Sequence, residues 1–217
     1  NLGINYLERA RHVELTAPSG DDDLAQAIDA LERGRALRPQ SLVPDFHQGD
    51  AYALRAQRAK ARGADPEPDR ASAIARYQHG LTINPDLALL HNGIAIVELA
   101  RAFDARDSGA DPTAPFERAE AAARRAIASA PDQSHGHNNL GEVLLARAQW
   151  LHQQRRPALA AAEGARDAIQ RALTLIPDHP VFLYNAAACD GLLAQLAVEQ
   201  GRDARGLLVR AQASLER

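Results

Sequence analysis

Residues 71–87 read ASAIARYQHGLTINPDL, and residues 117–133, 46 positions later, read ERAEAAARRAIASAPDQ. Little is shared except small residues and a proline, and those coincide: Ala73 with Ala119, Gly80 with Ala126, Pro85 with Pro131. Working outward, the prolines continue to Pro39 and Pro177, and the residue 12 before each is Ala27, Ala73, Ala119 and Ala165, with Ala211 at the next step. Five before the proline stand Gly34, Gly80, Ala126 and Ala172; ten after it stand Gly49, Ala95, Gly141 and Ala187. Gly3 carries that last row back to the start, so the sequence opens inside a repeat. Small residues kept in register at a fixed interval imply stacked copies of one unit sharing a continuous core, an architecture that binds more often than it catalyses.

The units read as helices. Only Gly or Ala lets two helix backbones approach until ridges settle into grooves. Four after the alanine row, on the same helical face, come Leu31, Tyr77, Ala123, Ile169 and Leu215, while Leu37, Ile83 and Leu175 close the unit before the proline. No stretch alternates apolar and polar residues as a half-buried strand does. The first complete copy resolves into helices over roughly residues 42–62 and 69–83. Their joint is Gly63-Ala64-Asp65-Pro66, repeated as Gly109-Ala110-Asp111-Pro112: a left-handed glycine stop, then an Asp-Pro turn that forbids continuation. Gly201 and Asp203 fall in the same register, but the third copy has Arg155 in the glycine slot and Pro157 one place early, which predicts a turn of different shape.

Counted within a unit, a small residue at the eighth place, Ala at the twentieth, an apolar residue at the twenty-fourth, a small one at the twenty-seventh and Pro at the thirty-second resemble the tetratricopeptide repeat along the whole chain. The family's first-helix tryptophan is missing, with Asp45, His91, His137 and Leu183 in its slot, and the interval is longer than the family's 34. HEAT and armadillo units have comparable lengths, but their first-helix proline kink and recurring Asp and Arg are not found here. The resemblance implies an all-α, right-handed superhelical solenoid of antiparallel helix pairs, about five repeats with the first and last incomplete. The units are approximately 1–39, 40–85, 86–131, 132–177 and 178–217, forming one domain over 1–217 and expected to belong to a longer protein. The Gly-x-Asp-Pro turn and Ala-rich second helix are also similar to arrays that follow the kinase domain in some bacterial serine/threonine protein kinases, which implies a regulatory or recruiting region. No Gly-rich phosphate loop, His-Arg-Asp or Asp-Phe-Gly occurs in these residues.

Composition narrows the function. A net charge of -3 with mixed signs describes a solvated surface without the basic stripe that nucleic acid requires, so no nucleic-acid partner is expected. There is no run of 18 apolar residues and no leader, so the reading is a cytoplasmic segment without membrane insertion. Arg55, Arg101 and Arg147 share a slot and read as a solvated helix edge. Cys189 reads as a buried, inert thiol. His135-Gly136-His137 has no third ligand at a standard spacing, Asp21-Asp22-Asp23 precedes a helix that favours negative charge, and Glu142 with His137 makes a poor acid–base pair. No catalytic, cofactor or metal residue is assigned.

The resemblance places the binding surface on the first helices, at the fifth, sixth and ninth places. Those are Phe46, His47 and Asp50; Asn92, Gly93 and Ile96; Asn138, Asn139 and Glu142; and Tyr184, Asn185 and Ala188. Side-chain amides can satisfy a peptide backbone whatever its side chains, and exposed aromatics anchor interfaces. Equally, Asn92, Asn138 and Asn185 can cap or brace the first helices. The clamp that some relatives use for acidic chaperone tails needs a lysine at the fifth place, where Phe46, Asn92, Asn138 and Tyr184 stand; with Asp50 and Glu142 nearby, neutral or basic peptides are favoured. The expected function is a non-catalytic scaffold that binds a protein or peptide. The alternative is a structural module self-associating through open repeat ends.

Overall fold

In the computed structural model, which describes residues 2–217, the described residues form ten helices and no strand. They are α1 Leu2–Arg11, α2 Ser19–Leu37, α3 Val43–Ala61, α4 Glu67–Ile83, α5 Ala88–Asp107, α6 Thr113–Ser129, α7 Ser134–Gln153, α8 Leu159–Leu175, α9 Pro180–Glu199 and α10 Arg205–Leu215. The fold is therefore all-α and built of neighbouring helix pairs joined by short turns. Two compact units divide inside α5, one ending at Val97 and the other beginning at Glu98.

In the first unit α1 packs on α2, α2 on α3 and α3 on α4. One core gathers Leu7, Ala10, Leu24, Ala27 and Ala51, and another gathers Ala73, Ile74, Tyr77, Leu90 and Val97. In the second unit α6 packs on α7, α7 on α8, α8 on α9 and α9 on α10; one core gathers Leu99, Ala102, Phe116, Ala119, Val143, Ala146 and Trp150, and a smaller one gathers Ala194, Ala197 and Ala204. The small residues of the sequence are explained by pairs. A Cβ on Gly49 would lie 2.3 Å from the Tyr77 ring, one on Gly141 2.3 Å from Ile169 Cγ1, and one on Gly3 2.7 Å from Leu31 Cγ. Each glycine thus makes room for a large side chain 28 places later; where that later slot holds Ala123, the earlier one holds Ala95. Leu37, expected to close its unit, is instead 83% exposed, and Ile83 and Leu175 are only half-buried.

The expected difference in the third turn is corrected by the backbone. Arg155 takes φ 53°, beside 74° at Gly63, 77° at Gly109 and 69° at Gly201. The hydrogen bonds match too: Arg156 N–H donates to Leu151 C=O at 2.9 Å, as Ala64 does to Ala59, Ala110 to Ala105 and Arg202 to Ala197. The six-residue closure of a left-handed helix stop satisfies end carbonyls that water or nothing else would have to satisfy, so it is kept even where a side chain strains it. Its cost at Arg155 is about 1 kcal/mol. What does change is the start of α8: Asp65, Asp111 and Asp203 each accept a hydrogen bond from the backbone N–H two residues on, at 2.9 Å, and Pro157 in their slot cannot.

One organising residue has no sequence signature. Arg58 of α3 is fully buried; its Nε donates to Asp21 Oδ1 at 2.8 Å, its Nη1 to Glu14 C=O at 2.9 Å and its Nη2 to Ala17 C=O. The guanidinium clasps the loop between α1 and α2, adding charge-assisted donors to carbonyls that already close the loop's own turns, Ala17 N–H to Glu14 C=O at 3.0 Å and Gly20 N–H to Ala17 C=O at 3.3 Å. Gly20 leaves the room, since a Cβ there would sit 2.4 Å from the guanidinium carbon.

Candidate functional site

The nominated first-helix positions differ between the units. In the first unit Phe46 is half-buried and packs against the Tyr77 core, with the His47 ring edge-on to it at 4.9 Å. Burial lowers the pKa of His47, and its Nδ1 has no hydrogen-bond partner. Asp50 accepts a hydrogen bond from Tyr77 Oη at 2.8 Å and pairs with Arg11 at 2.7 Å. Burial raises its pKa, while Tyr77 and Arg11 pull it back down. Asp50 therefore ties α1, α3 and α4 together and is already occupied. Gly93 is needed for the other side of the same ring, because a Cβ there would lie 2.5 Å from Tyr77 Cζ. On α5, Asn92 is buried and Ile96 is 48% exposed.

In the second unit Asn138 of α7 and Asn185 of α9 are both buried, and the Asn185 amide donates to Asn138 Oδ1 at 3.0 Å. They brace neighbouring first helices; Asn139 is half-buried beside them. One turn further along α7, Glu142 is half-buried without an ion pair or hydrogen bond from the described residues, and burial alone raises its pKa. Across from it on α9, Tyr184 is 66% exposed and Ala188 half-exposed.

A signal absent from the three-residue mapping is a stripe along α9. Val181, Tyr184, Ala188, Gly191, Gln195 and Val198 recur at alternate three- and four-residue steps, all at least partly exposed, and nothing lies within 4 Å of a Cβ placed on Gly191. A helix apolar on every side is normally enclosed on every side. Here Phe182, Leu183, Leu192, Leu193 and Leu196 are buried, and the opposite stripe is left uncovered. Among the described residues α9 is also the one helix long and apolar enough to cross a membrane by length and composition; 61% of its window is buried against its neighbours, as in the core helix of a helical protein.

The remaining candidates are accounted for by contacts. His91 Nε2 bonds Pro85 C=O at 2.9 Å and His137 Nε2 bonds Pro131 C=O at 2.8 Å, so two residues of the missing-tryptophan slot brace the ladder prolines. His135 lies edge-on to Phe182, on which His179 stacks at 3.9 Å. No group of three His, Cys, Asp or Glu that could hold a metal exists among the described residues. Cys189 is fully buried, and burial pushes its thiol up to about 12. The shared arginine slot is partly neutralised rather than simply solvated: Arg55 pairs with Asp69 at 2.6 Å and Arg147 with Glu120 at 3.0 Å. Two open clefts lie in the second unit, one of about 720 Å³ among α8, α9 and α10 and one of about 950 Å³ beside the Arg155 turn.

No protein-family model and no curated protein matches the sequence. Solved structures do. The crystal structure of MamA protein superposes with a TM-score of 0.58 at 13% identity, covering 99% of this chain and 92% of that one. MamA 41-end from Desulfovibrio magneticus RS-1 gives 0.58 at 13% identity, covering 100% and 94%. TTC0263, a thermophilic TPR protein of Thermus thermophilus, gives 0.53 at 17% identity, covering 99% and 100%. The chain thus has a tetratricopeptide-like helical-repeat fold.

Proposed function

We propose that this chain is a non-catalytic protein-interaction scaffold whose working surface is the exposed first-helix face, taking a peptide segment or a partner helix. The observation that carries the reading is the uncovered α9 stripe. Val181 and Tyr184, 51% and 66% exposed, stand on a helix whose other faces are core. Their exposure costs free energy that a partner would recover. On this reading Tyr184 is the aromatic anchor of the second unit, and Ile96 is the apolar contact that the first unit offers on its own first-helix face. Asn139 supplies an amide, and Asn138 with Asn185 holds the backbone frame rather than the ligand. The paired Asp50 and the core-packed Phe46 and His47 contribute less than the sequence suggests. The elongated 46-residue unit, a single array over the chain and a cytoplasmic setting belong to the same proposal, as does service as a regulatory or recruiting region of a bacterial serine/threonine kinase. Their support is the residue register and the Gly-x-Asp-Pro turn.

The test substitutes Val181→Ser together with Tyr184→Ala. Loss of protein capture with unchanged helicity and melting is expected; undiminished capture would place the binding surface elsewhere.

One observation favours a second reading, self-association. Helix α10 has no buried residue and leaves Leu208, Val209 and Leu215 exposed. Sedimentation across a concentration series separates the two, because end-stacking grows with concentration and peptide binding does not.

A further inference from the structure

Among the described residues of the second unit, one enclosed carboxylate is left unanswered. Asp190 is held by Arg210 at 3.3 Å, Glu120 by Arg147 and Arg124 at 3.0 and 2.8 Å, and Glu98 by Arg101 and Arg118, each at 2.9 Å. Glu142 has no such group, although it is more enclosed than an ordinary surface carboxylate. A carboxylate withdrawn from water and left unpaired is costly, and proteins normally neutralise it from within. Its surroundings name what is missing. The asparagine pair fixes the register of α7 against α9, so that Glu142, one turn after Asn138, stands level with Ala188, one turn after Asn185. Tyr184 and Val181 lie on the same face toward the start of α9.

We propose that Glu142 is the charge-reading group of this surface, and that the occupant is a partner-protein peptide placing an arginine or lysine on Glu142 and an apolar residue on Tyr184. This rests on the interaction-scaffold reading and refines it. Neighbouring helix axes are separated by about 9 Å and four helical residues rise about 6 Å, which puts Glu142 and Tyr184 about 11 Å apart along the surface. An extended chain advances about 3.3 Å per residue. The basic and apolar residues of the ligand should therefore lie two to four positions apart. The Tyr184 ring also suits the aliphatic stem or the cation of the same basic side chain. The other amides of the face, Asn138 and Asn139, present no charge of either sign.

The test pans a library of random short peptides on the full chain and measures selected peptides by fluorescence anisotropy. Selected sequences should carry Arg or Lys two to four positions from an apolar residue. Glu142→Gln should weaken their binding by about tenfold, the loss of one charge-assisted contact. Glu142→Lys should abolish it and regain binding when the ligand's basic residue is exchanged for glutamate, a rescue that a purely structural role would not produce. The carboxyl 13C signal of Glu142 should also titrate at lower pH once peptide is bound. Peptides that lose binding with Tyr184→Ala yet bind Glu142→Gln at full strength would overturn the charge-reading role and leave the scaffold reading standing. Selection of no peptide, or of peptides indifferent to Tyr184, would overturn both.

Discussion

Asp50 and Glu142 occupy the same slot two repeats apart, yet one is a tie and the other an open end. Around Asp50, the slots supplied by α1 and α4 hold Arg11 and Tyr77, and both bond its carboxylate. Around Glu142 the corresponding slots hold Phe103 and Ile169, which offer nothing polar. Phe103 instead packs into the Trp150 cluster, and Ile169 fills the space left by Gly141. A repeat keeps the packing slot, not the chemistry placed in it. Function is therefore legible only from what surrounds each copy of the slot.

The comparison can be broken from several sides, beginning with the largest effect. Arg58→Met removes the buried clasp from the loop between α1 and α2, deleting three charge-assisted hydrogen bonds and leaving Asp21 with Arg62 alone. The expected loss is about 2–4 kcal/mol, read as a shifted midpoint in denaturant unfolding. Loss of less than the effect of a typical surface substitution would mean the clasp is incidental. Tyr77→Phe deletes only the hydroxyl on Asp50 and should cost about 1–3 kcal/mol, because a buried carboxylate loses a donor while the ring packing between Gly49 and Gly93 survives.

Smaller effects are expected at the third turn. Arg155→Gly relieves a side chain held at φ 53° and should stabilise by about 1 kcal/mol, whereas Gly63→Arg at the matching turn should destabilise by a similar amount. A neutral or destabilising Arg155→Gly, seen in the melting temperature, would show that the Arg155 side chain contributes something the turn geometry does not.

The sequence carried the fold far. The first complete helix pair was expected over roughly residues 42–62 and 69–83 and is found at Val43–Ala61 and Glu67–Ile83, because proline, glycine and the small-residue rows act locally on the backbone. The third turn was misjudged for a reason of energy: a cost of about 1 kcal/mol is outweighed by satisfied helix-end carbonyls. Arg58 was invisible because its partners lie 37 and more positions away in a loop without periodicity. The site was legible only in part. Of the two aromatics read as exposed, Tyr184 is exposed and Phe46 packs against the Tyr77 core; the burial of Asn138 and Asn185 depends on the meeting of two helices, and the closure of Asp50 depends on two residues from other helices. Neither is encoded in the slot itself.

The most direct test of the contrast is the pH dependence of stability in Glu142→Gln. A carboxyl whose pKa is raised by burial binds its proton more tightly in the folded chain than in the unfolded one, so its contribution to stability falls as pH rises past the ordinary carboxylate range and stays low above it. The glutamine variant lacks this penalty. Its melting temperature should match the parent in acid and exceed it by about 2 °C at neutral pH. A variant that melts below the parent at neutral pH would mean that Glu142, like Asp50, already has its partner within the fold.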